Sequence, residues 1–216
     1  MTKGAVMLQK IRALIERYKT RDEFFKRLRL YFLTGSTGYN LIEKAYDETM
    51  RDFENIKRDG GSPYFGHPEA VAIILLEYLR IRDPHVITAA ILHDNVEDLP
   101  HHGWNNEYIR NAYNQDIAEL VWWVTKFDIA DFSGNKKERD AMYHVHLRSA
   151  PRRAIMIKLA DRLHNIMTLW AHDTEKQRRK IQETLHFYLP RAEQHTILIH
   201  ELESAIEEVE KTWVHK

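Results

Sequence analysis

The sequence predicts an all-α protein, a single-domain helical bundle, on three observations. Apolar residues recur at helical spacing, not in strict alternation, through most of the 216 residues. Only eight glycines and six prolines punctuate the chain, and no Asn-Gly or Asp-Gly pair separates two alternating strands. One stretch, "VITAAIL", is apolar nearly all round, as a helix buried in a core must be, and a second buried helix is expected over Ile155 to Trp170. A chain of this length suits one well-buried core and is short for two, so we expect one domain over residues 1–216.

The elements follow in order. From Val6 to Phe32, Met7, Ile11, Leu14, Ile15, Tyr18 and Phe25 fall near one stripe and predict one or two amphipathic helices. Residues 38–56 continue in the same way. "DGGSPY", from Asp59 to Tyr64, is a loop, since paired glycines and a proline bar helix there. Pro68 opens a helix through about Leu79, at a first-turn position where its missing N–H costs little. Pro84 starts the next. Asp116 to Phe127 is a further helix with Asp116 as candidate N-cap, and Phe127 to Lys137 is expected to be a loop. Ile155 to Trp170 forms the second buried helix, and Lys176 to Tyr188 and His195 to Trp213 close the bundle.

Composition excludes several classes of function. Thirty-two basic residues balance thirty-two acidic ones, so bulk charge favours neither nucleic acid nor an anionic membrane surface. An anionic substrate would need a local cluster. No cysteine is present, which removes disulfides, thiolate zinc sites and cysteine nucleophiles together. The charged N-terminal stretch lacks the apolar core of a signal peptide, and no apolar run approaches the roughly 18 residues of a membrane helix. We expect a soluble cytoplasmic protein.

Four residues carry the chemistry. His67 stands in "SPYFGHPEAV", His93 and Asp94 are adjacent in "AAILHDNVEDLP", and Asp161 follows "IMIKLA". Two imidazoles and two carboxylates suit Mn²⁺, Fe²⁺ or Zn²⁺, which accept both nitrogen and oxygen. They would leave positions on an octahedral ion for water and a substrate oxygen. Read as one helix, "HDNVED" repeats the direction of His93 at Glu97 and that of Asp94 at Asp98, one turn on. A carboxylate placed there can orient or deprotonate a water whose pKa a divalent ion lowers. Asp161 and Asn165 stand in the same i, i+4 relation, and a buried Asp161 is costly unless paired or metal-bound. Singly, each of these is more often structural: a lone His67 is usually a hydrogen-bonded histidine, and Asp161 alone could pair with Lys158 or Arg162. Their conjunction points to a metal.

The other features keep the bland reading. His101, His102, His144 and His146 sit in loop or polar surroundings, and His164 is expected to point elsewhere than Asp161. "VWWVTK" is core packing, with Lys126 an exception, and "GNKKERD" is a solvated loop from which Lys137 and Arg139 could reach a polyphosphate.

The pattern His…His-Asp…Asp resembles the HD superfamily of metal-dependent phosphohydrolases. "KRDGGSPYFGHPEAVAIIL", "AAILHDNVEDL", "ELVWWVTKF" and "IKLADRLHNIMTL" narrow the resemblance to the hydrolase domain of the RelA/SpoT alarmone enzymes, here as a small alarmone hydrolase without the synthetase domain. It covers about residues 55–192, with extra helices on either side. The resemblance implies an HD-type helical bundle that uses Mn²⁺ to remove the 3′-pyrophosphate from (p)ppGpp, giving GDP or GTP. It implies His67, His93, Asp94 and Asp161 as metal ligands, and Glu97 and Asp98 as the pair that positions or activates water. It also implies Arg58 stacked on the base, Asn165 and Thr168 against the nucleoside, and Lys57 and Tyr64 completing that motif. Gly60 stands where the family has Ser, Leu99-Pro100 replaces a Thr, and Met167 replaces an Arg. The base is therefore left open between guanine and adenine, and NADPH is an alternative substrate. An HD 5′-nucleotidase and an antitoxin that neutralises a partner alarmone synthetase are the rival readings. The oligomeric state is not set by the sequence.

Overall fold

Apolar stripes turn inward and side-chain caps such as Thr20, Ser36 and Asn114 start many of the helices, so the computed structural model, which describes residues 3–213, is built from helices. In chain order they are α1 Lys3–Tyr18, α2 Arg21–Leu28, α3 Thr37–Asp52, α4 Gly66–Ile73, α5 Pro84–Leu92, α6 Asn95–Asp98, α7 Asn106–Ala112, α8 Gln115–Val124, α9 Lys136–Arg148, α10 Arg152–Met167, α11 Thr174–Glu183, α12 Leu189–His195 and α13 Ile199–Lys211. Helix α5 is buried from Val86 to Leu92 and packs against α3, α4, α8 and α10. Helix α10 is buried over most of its length. Around these two runs one contiguous hydrophobic core, which reaches from Leu8 to Val209. Helices α1 and α13 pack on each other, so both ends of the described chain join that core. Among the described residues no helix is long and apolar enough to cross a membrane.

Several expected boundaries move, each for a local reason. The first stripe divides into α1 and α2 at Thr20, whose hydroxyl accepts from Glu23 N. Helix α4 begins at Gly66, two residues before Pro68, so the proline lies inside the first turn, where no intrahelical N–H is lost. It then widens into a π-helix, Ile74–Tyr78. The N-cap of α8 is Asn114, which accepts from Ile117 N, and not Asp116. Asp116 instead binds His85 at 2.6 Å and Arg153 at 2.8 Å, tying the starts of α5, α8 and α10 together. The last expected helix, His195 to Trp213, starts only at Ile199, because Thr196 and Leu198 at positive φ end α12 and separate it from α13.

Part of the polar stretch read as a loop is helical. The segment expected to be a loop from Phe127 to Lys137 holds a 3₁₀ turn, Ile129–Phe132, and the first residues of α9. Helix α9 buries only Tyr143 and Leu147, one pair at i, i+4, which is too thin a stripe for periodicity to register. Helix α7 buries Ile109 alone. The "VWWVTK" segment packs inward through Val121 and Val124, while Trp123 stacks on His146 with ring centroids 4.4 Å apart and Trp122 stays exposed. The core reading fails for Trp122.

Candidate metal centre

Four helices and one turn converge at the centre of the bundle. His67 lies in the first turn of α4, buried like every residue that follows it in that helix. Helix α5 ends at Leu92, and His93 and Asp94 form the turn into α6. The "HDNVED" stretch is thus a turn followed by one short helix and not a continuous helix, which corrects the expectation of a continuous ladder. Asn95, fully buried, pins the turn by donating from Nδ2 to Thr49 Oγ1 of α3 at 3.1 Å. Asp161 comes from the middle of α10.

The distances bring the candidate ligands together. His67 Nε2 stands 3.5 Å from Asp94 Oδ2 and 3.1 Å from Asp161 Oδ1. His93 Nε2 stands 3.2 Å from Asp94 Oδ1 and 3.7 Å from Asp161 Oδ1. Ligand atoms of His67, His93 and Asp94 all lie within 4.8 Å of one another. Asp161 faces both rings, and its other oxygen takes Lys158 Nζ at 2.7 Å. Arg162, the second expected partner, pairs with Glu183 instead.

His93 supplies the test of whether these residues suit an ion. Its Nδ1 is 2.8 Å from the carbonyl of Ala90, while its Nε2 is buried without a hydrogen-bond partner and points among carboxylates. A buried polar atom left so is costly unless something else takes its lone pair. Burial pulls the His93 imidazole down, yet Asp94 and Asp161 outweigh it and push it up to about 9. The cluster therefore draws positive charge to that nitrogen. A divalent cation fits the donor set.

The remaining candidates fall around this cluster. Asp98 is held by the Tyr64 phenol, whose oxygen is also 3.0 Å from Asp94 Oδ2. Burial, and then Asp94, push the Asp98 carboxyl up to about 6. Glu97 Oε1 accepts the Lys126 backbone N–H at 2.6 Å, so it turns toward the end of α8. Arg58 is carried by a tight loop: its N–H donates to Ser62 O at 2.9 Å, an isolated bridge joins Lys57 to Pro63, and Gly61 at φ +82° makes the turn. The Asp59-Gly60 pair therefore closes a miniature hairpin after all. Arg58 Nη2 donates to Asn165 Oδ1 at 2.7 Å, and Asn165 Nδ2 in turn donates to Asp161 Oδ1.

Two adjoining cavities open from the cluster. The polar one, about 310 Å³, holds Lys57, Tyr64, Glu97, Asp98 and Asn165 with the cations Lys126, Lys158, Arg162, Lys176 and Lys180. Burial, and then Arg162, push Lys180 down to about 8. The more apolar one, about 870 Å³, is lined by Phe53, Phe65, His164, Thr168 and Trp170 among others. Arg58 and His67 border both. Lys137 is exposed and lines neither cavity, and Arg139 is spent on Asp140 at 2.7 Å, so the polyphosphate role expected of them is not supported.

Sequence reasoning missed His164 and the α11 cations. His164 avoids Asp161 as expected, but its Nδ1 lies 2.8 Å from His67 Nδ1. Its i+3 position from Asp161 on a buried helix was the available signal. Lys176 and Lys180, four apart on α11, present one face to the polar cavity in the same way. His144 also leaves the bland reading, since it reaches Glu183 at 3.3 Å and so joins the Arg162–Lys180 network.

Comparison with known proteins identifies the family. The family model described as HD domain matches residues 44–198. The bifunctional (p)ppGpp synthase/hydrolase SpoT of Escherichia coli K12 is 33% identical over 205 residues, 94% of this chain and 26% of that protein. The guanosine-3′,5′-bis(diphosphate) 3′-pyrophosphohydrolase of Vibrio cholerae is 37% identical over 170 residues, covering 78% of this chain and 23% of its own length. The chain thus spans about a quarter of these relatives. A solved structure described as a metazoan ortholog of SpoT that hydrolyzes ppGpp superposes with a TM-score of 0.68 at 23% identity, covering 78% of this chain and 94% of that one.

Proposed function

The chain belongs to the HD domain family, and on that premise we propose that it is a metal-dependent hydrolase that removes the 3′-pyrophosphate from (p)ppGpp or a related alarmone. The observation that carries this reading is His93 Nε2, buried and unpartnered beside His67, Asp94 and Asp161, which themselves border a cavity rich in cations. The names of the relatives support the substrate class. Mn²⁺ as the ion and a cytoplasmic setting belong to the same proposal, supported by the mixed nitrogen and oxygen donors and by the absence of cysteine.

His67, His93, Asp94 and Asp161 would hold the ion, which supplies Lewis-acid activation of the scissile phosphoryl group when bound. The rest is assigned to the chain itself. Lys126, Lys158, Lys176 and Lys180 line the cavity and offset the charge of the pyrophosphate. Arg58 offers a guanidinium face to the base, a contact of roughly 0.5–2 kcal/mol, with Asn165 and Thr168 beside it. Asp98, held by Tyr64, takes a proton from the attacking water, and Glu97 stands next to it as the second carboxylate. Water oxygen bonds to the phosphorus that carries the 3′ oxygen. The P–O bond to the ribose breaks, and the 3′ oxygen leaves with a proton as a hydroxyl. The products are a 5′-phosphorylated nucleoside and pyrophosphate.

The test is direct. Purified protein with Mn²⁺ is incubated with ppGpp and with ppApp, and released pyrophosphate is measured. Turnover of either supports the reading and reports the base preference. No turnover of either, with metal bound, rejects it.

A further inference from the structure

The rod formed by α4 and the π-helix that continues it carries His67 in its first turn and Glu77 near its far end. Around Glu77 opens a third cavity, about 470 Å³, which also gathers Lys10, Arg17, Arg27, Arg80 and Arg82. It shares no lining residue with the two cavities at the metal centre. Five cations thus meet one carboxylate, in a chain whose basic and acidic residues otherwise balance. Glu77 is already spent on Arg27 Nε at 2.7 Å. Among the described residues Lys10, Arg17, Arg80 and Arg82 have no carboxylate partner.

These cations are held in place. Arg17 and Arg27 lie 5.3 and 5.8 Å from the Tyr18 ring centroid, and Arg27 and Arg82 lie 4.9 and 3.5 Å from that of Tyr31. A guanidinium held over a ring keeps N–H donors for another partner, and its fork matches two phosphate oxygens. Arg82 Nη1 is further tied to the Leu76 and Ile81 carbonyls. Arg80 ends the rod at φ +57°, where glycine is favoured, and Ile81 N closes that end on Leu75 O at 2.9 Å. An arginine is thus kept at a strained position, and among the described residues its guanidinium has no hydrogen bond, ion pair or ring contact. We propose that this cavity is an anion site separate from the metal centre, taking a di- or triphosphate group, free or carried by a nucleotide, on Arg17, Arg80 and Arg82. Its volume suits a nucleotide, and an anion of one charge would leave most of the excess unmet.

The experiment titrates inorganic pyrophosphate, and separately GTP, into the full chain without added metal, which pyrophosphate would sequester. Ring resonances of Tyr18 and Tyr31 are followed by NMR, so that binding at the metal centre does not confuse the reading. Wild type should show saturable shifts at both tyrosines. Arg80→Gly removes the guanidinium and relieves the turn, and should weaken binding about tenfold without lowering the melting temperature. Arg17→Ala, on the exposed side of α1, should weaken it to a similar degree and leaves the turn untouched. Lys176→Ala, in the polar cavity, should leave the tyrosine shifts unchanged. Tighter binding of GTP than of pyrophosphate identifies a nucleotide as the occupant, and otherwise the free anion is identified. Absence of saturable shifts with either probe, or a midpoint that neither arginine variant moves, overturns the site. Capture by vesicles containing phosphatidylglycerol, with no response to either small anion, overturns it in favour of a membrane surface.

Discussion

Tyr64 links the two carboxylates on which the proposed chemistry turns: its phenol binds Asp98 and stands 3.0 Å from Asp94 Oδ2. Burial, and then both aspartates, hold the phenol far above its ordinary range, so it remains a donor throughout working pH. Its ring lies flat on Phe53, with centroids 4.5 Å apart and an interplanar angle of 9°. A candidate metal ligand and a candidate proton acceptor are therefore spaced by one rigid side chain. Tyr64→Phe keeps the stack and loses the hydroxyl. It should lower kcat/KM about tenfold to a hundredfold, the equivalent of a charge-assisted hydrogen bond worth roughly 1.5–3 kcal/mol. Mn²⁺ affinity should change little, and steady-state kinetics with a parallel metal titration separates the two effects.

Asp98 predicts a pH dependence of stability. Its carboxyl, ordinarily near 3.8, is pushed up to about 6 by burial and then by Asp94. A raised carboxyl pKa means that the folded state binds the proton more tightly than the unfolded state. The associated stability is complete below the unfolded value and is lost as pH rises through about 6. Thermal melts of the metal-free protein between these limits should decline with pH more steeply for wild type than for Asp98→Asn. Parallel curves would remove Asp98 as the cause.

Asp161→Ala should abolish Mn²⁺ binding and turnover together. It should also leave Lys158 buried without its 2.7 Å partner. Breaking a buried pair on one side costs roughly 3–5 kcal/mol, readable by denaturant unfolding of the metal-free protein. Retained turnover would dismiss the assignment of Asp161.

Glu97→Ala should behave differently. Its carboxylate accepts the Lys126 N–H at 2.6 Å and lies outside the ligand cluster. Metal binding should survive while kcat falls, by about 10²- to 10⁴-fold if the group shares in proton transfer. Loss of metal in this variant would move Glu97 into the ligand set.

Chelation should destabilise the fold. An ion bound by α4, the His93–Asp94 turn and α10 stabilises only the native state, by about 2.7 kcal/mol at a hundredfold excess over Kd. Melting temperature should therefore rise with added Mn²⁺ and fall on treatment with EDTA. A melting curve indifferent to both would argue that these side chains hold no ion.

The fold was legible wherever burial leaves a periodic trace. Helix α5 is apolar on every face because it is covered on every face, and the apolar residues of α10 likewise mark a helix buried over most of its length. Helix α9 left no such trace, since Tyr143 and Leu147 are all that it buries. The N-cap of α8 was misplaced because Asn114 and Asp116 both qualify locally. Only the arrival of His85 and Arg153 decides that Asp116 serves elsewhere.

The same division runs through the site. The residue types of His67, His93, Asp94 and Asp161 announced a metal because buried imidazoles and carboxylates in apolar surroundings need a cation, and that need is written in one dimension. Which nitrogen each histidine offers was not. His67 and His164 are separated by 97 positions, and nothing along the chain relates them. Packing of α4 against α10 sets their Nδ1 atoms 2.8 Å apart, and the Arg58 loop brings Nη1 within 3.3 Å of the same His164 nitrogen. The sequence by itself determined the helical class and the chemistry of the donors, because both follow from local pattern and composition. Tertiary structure alone decided the break in "HDNVED", the bridge through Tyr64 and the contact of His67 with His164, because hydrogen-bond geometry depends on where distant segments come to rest.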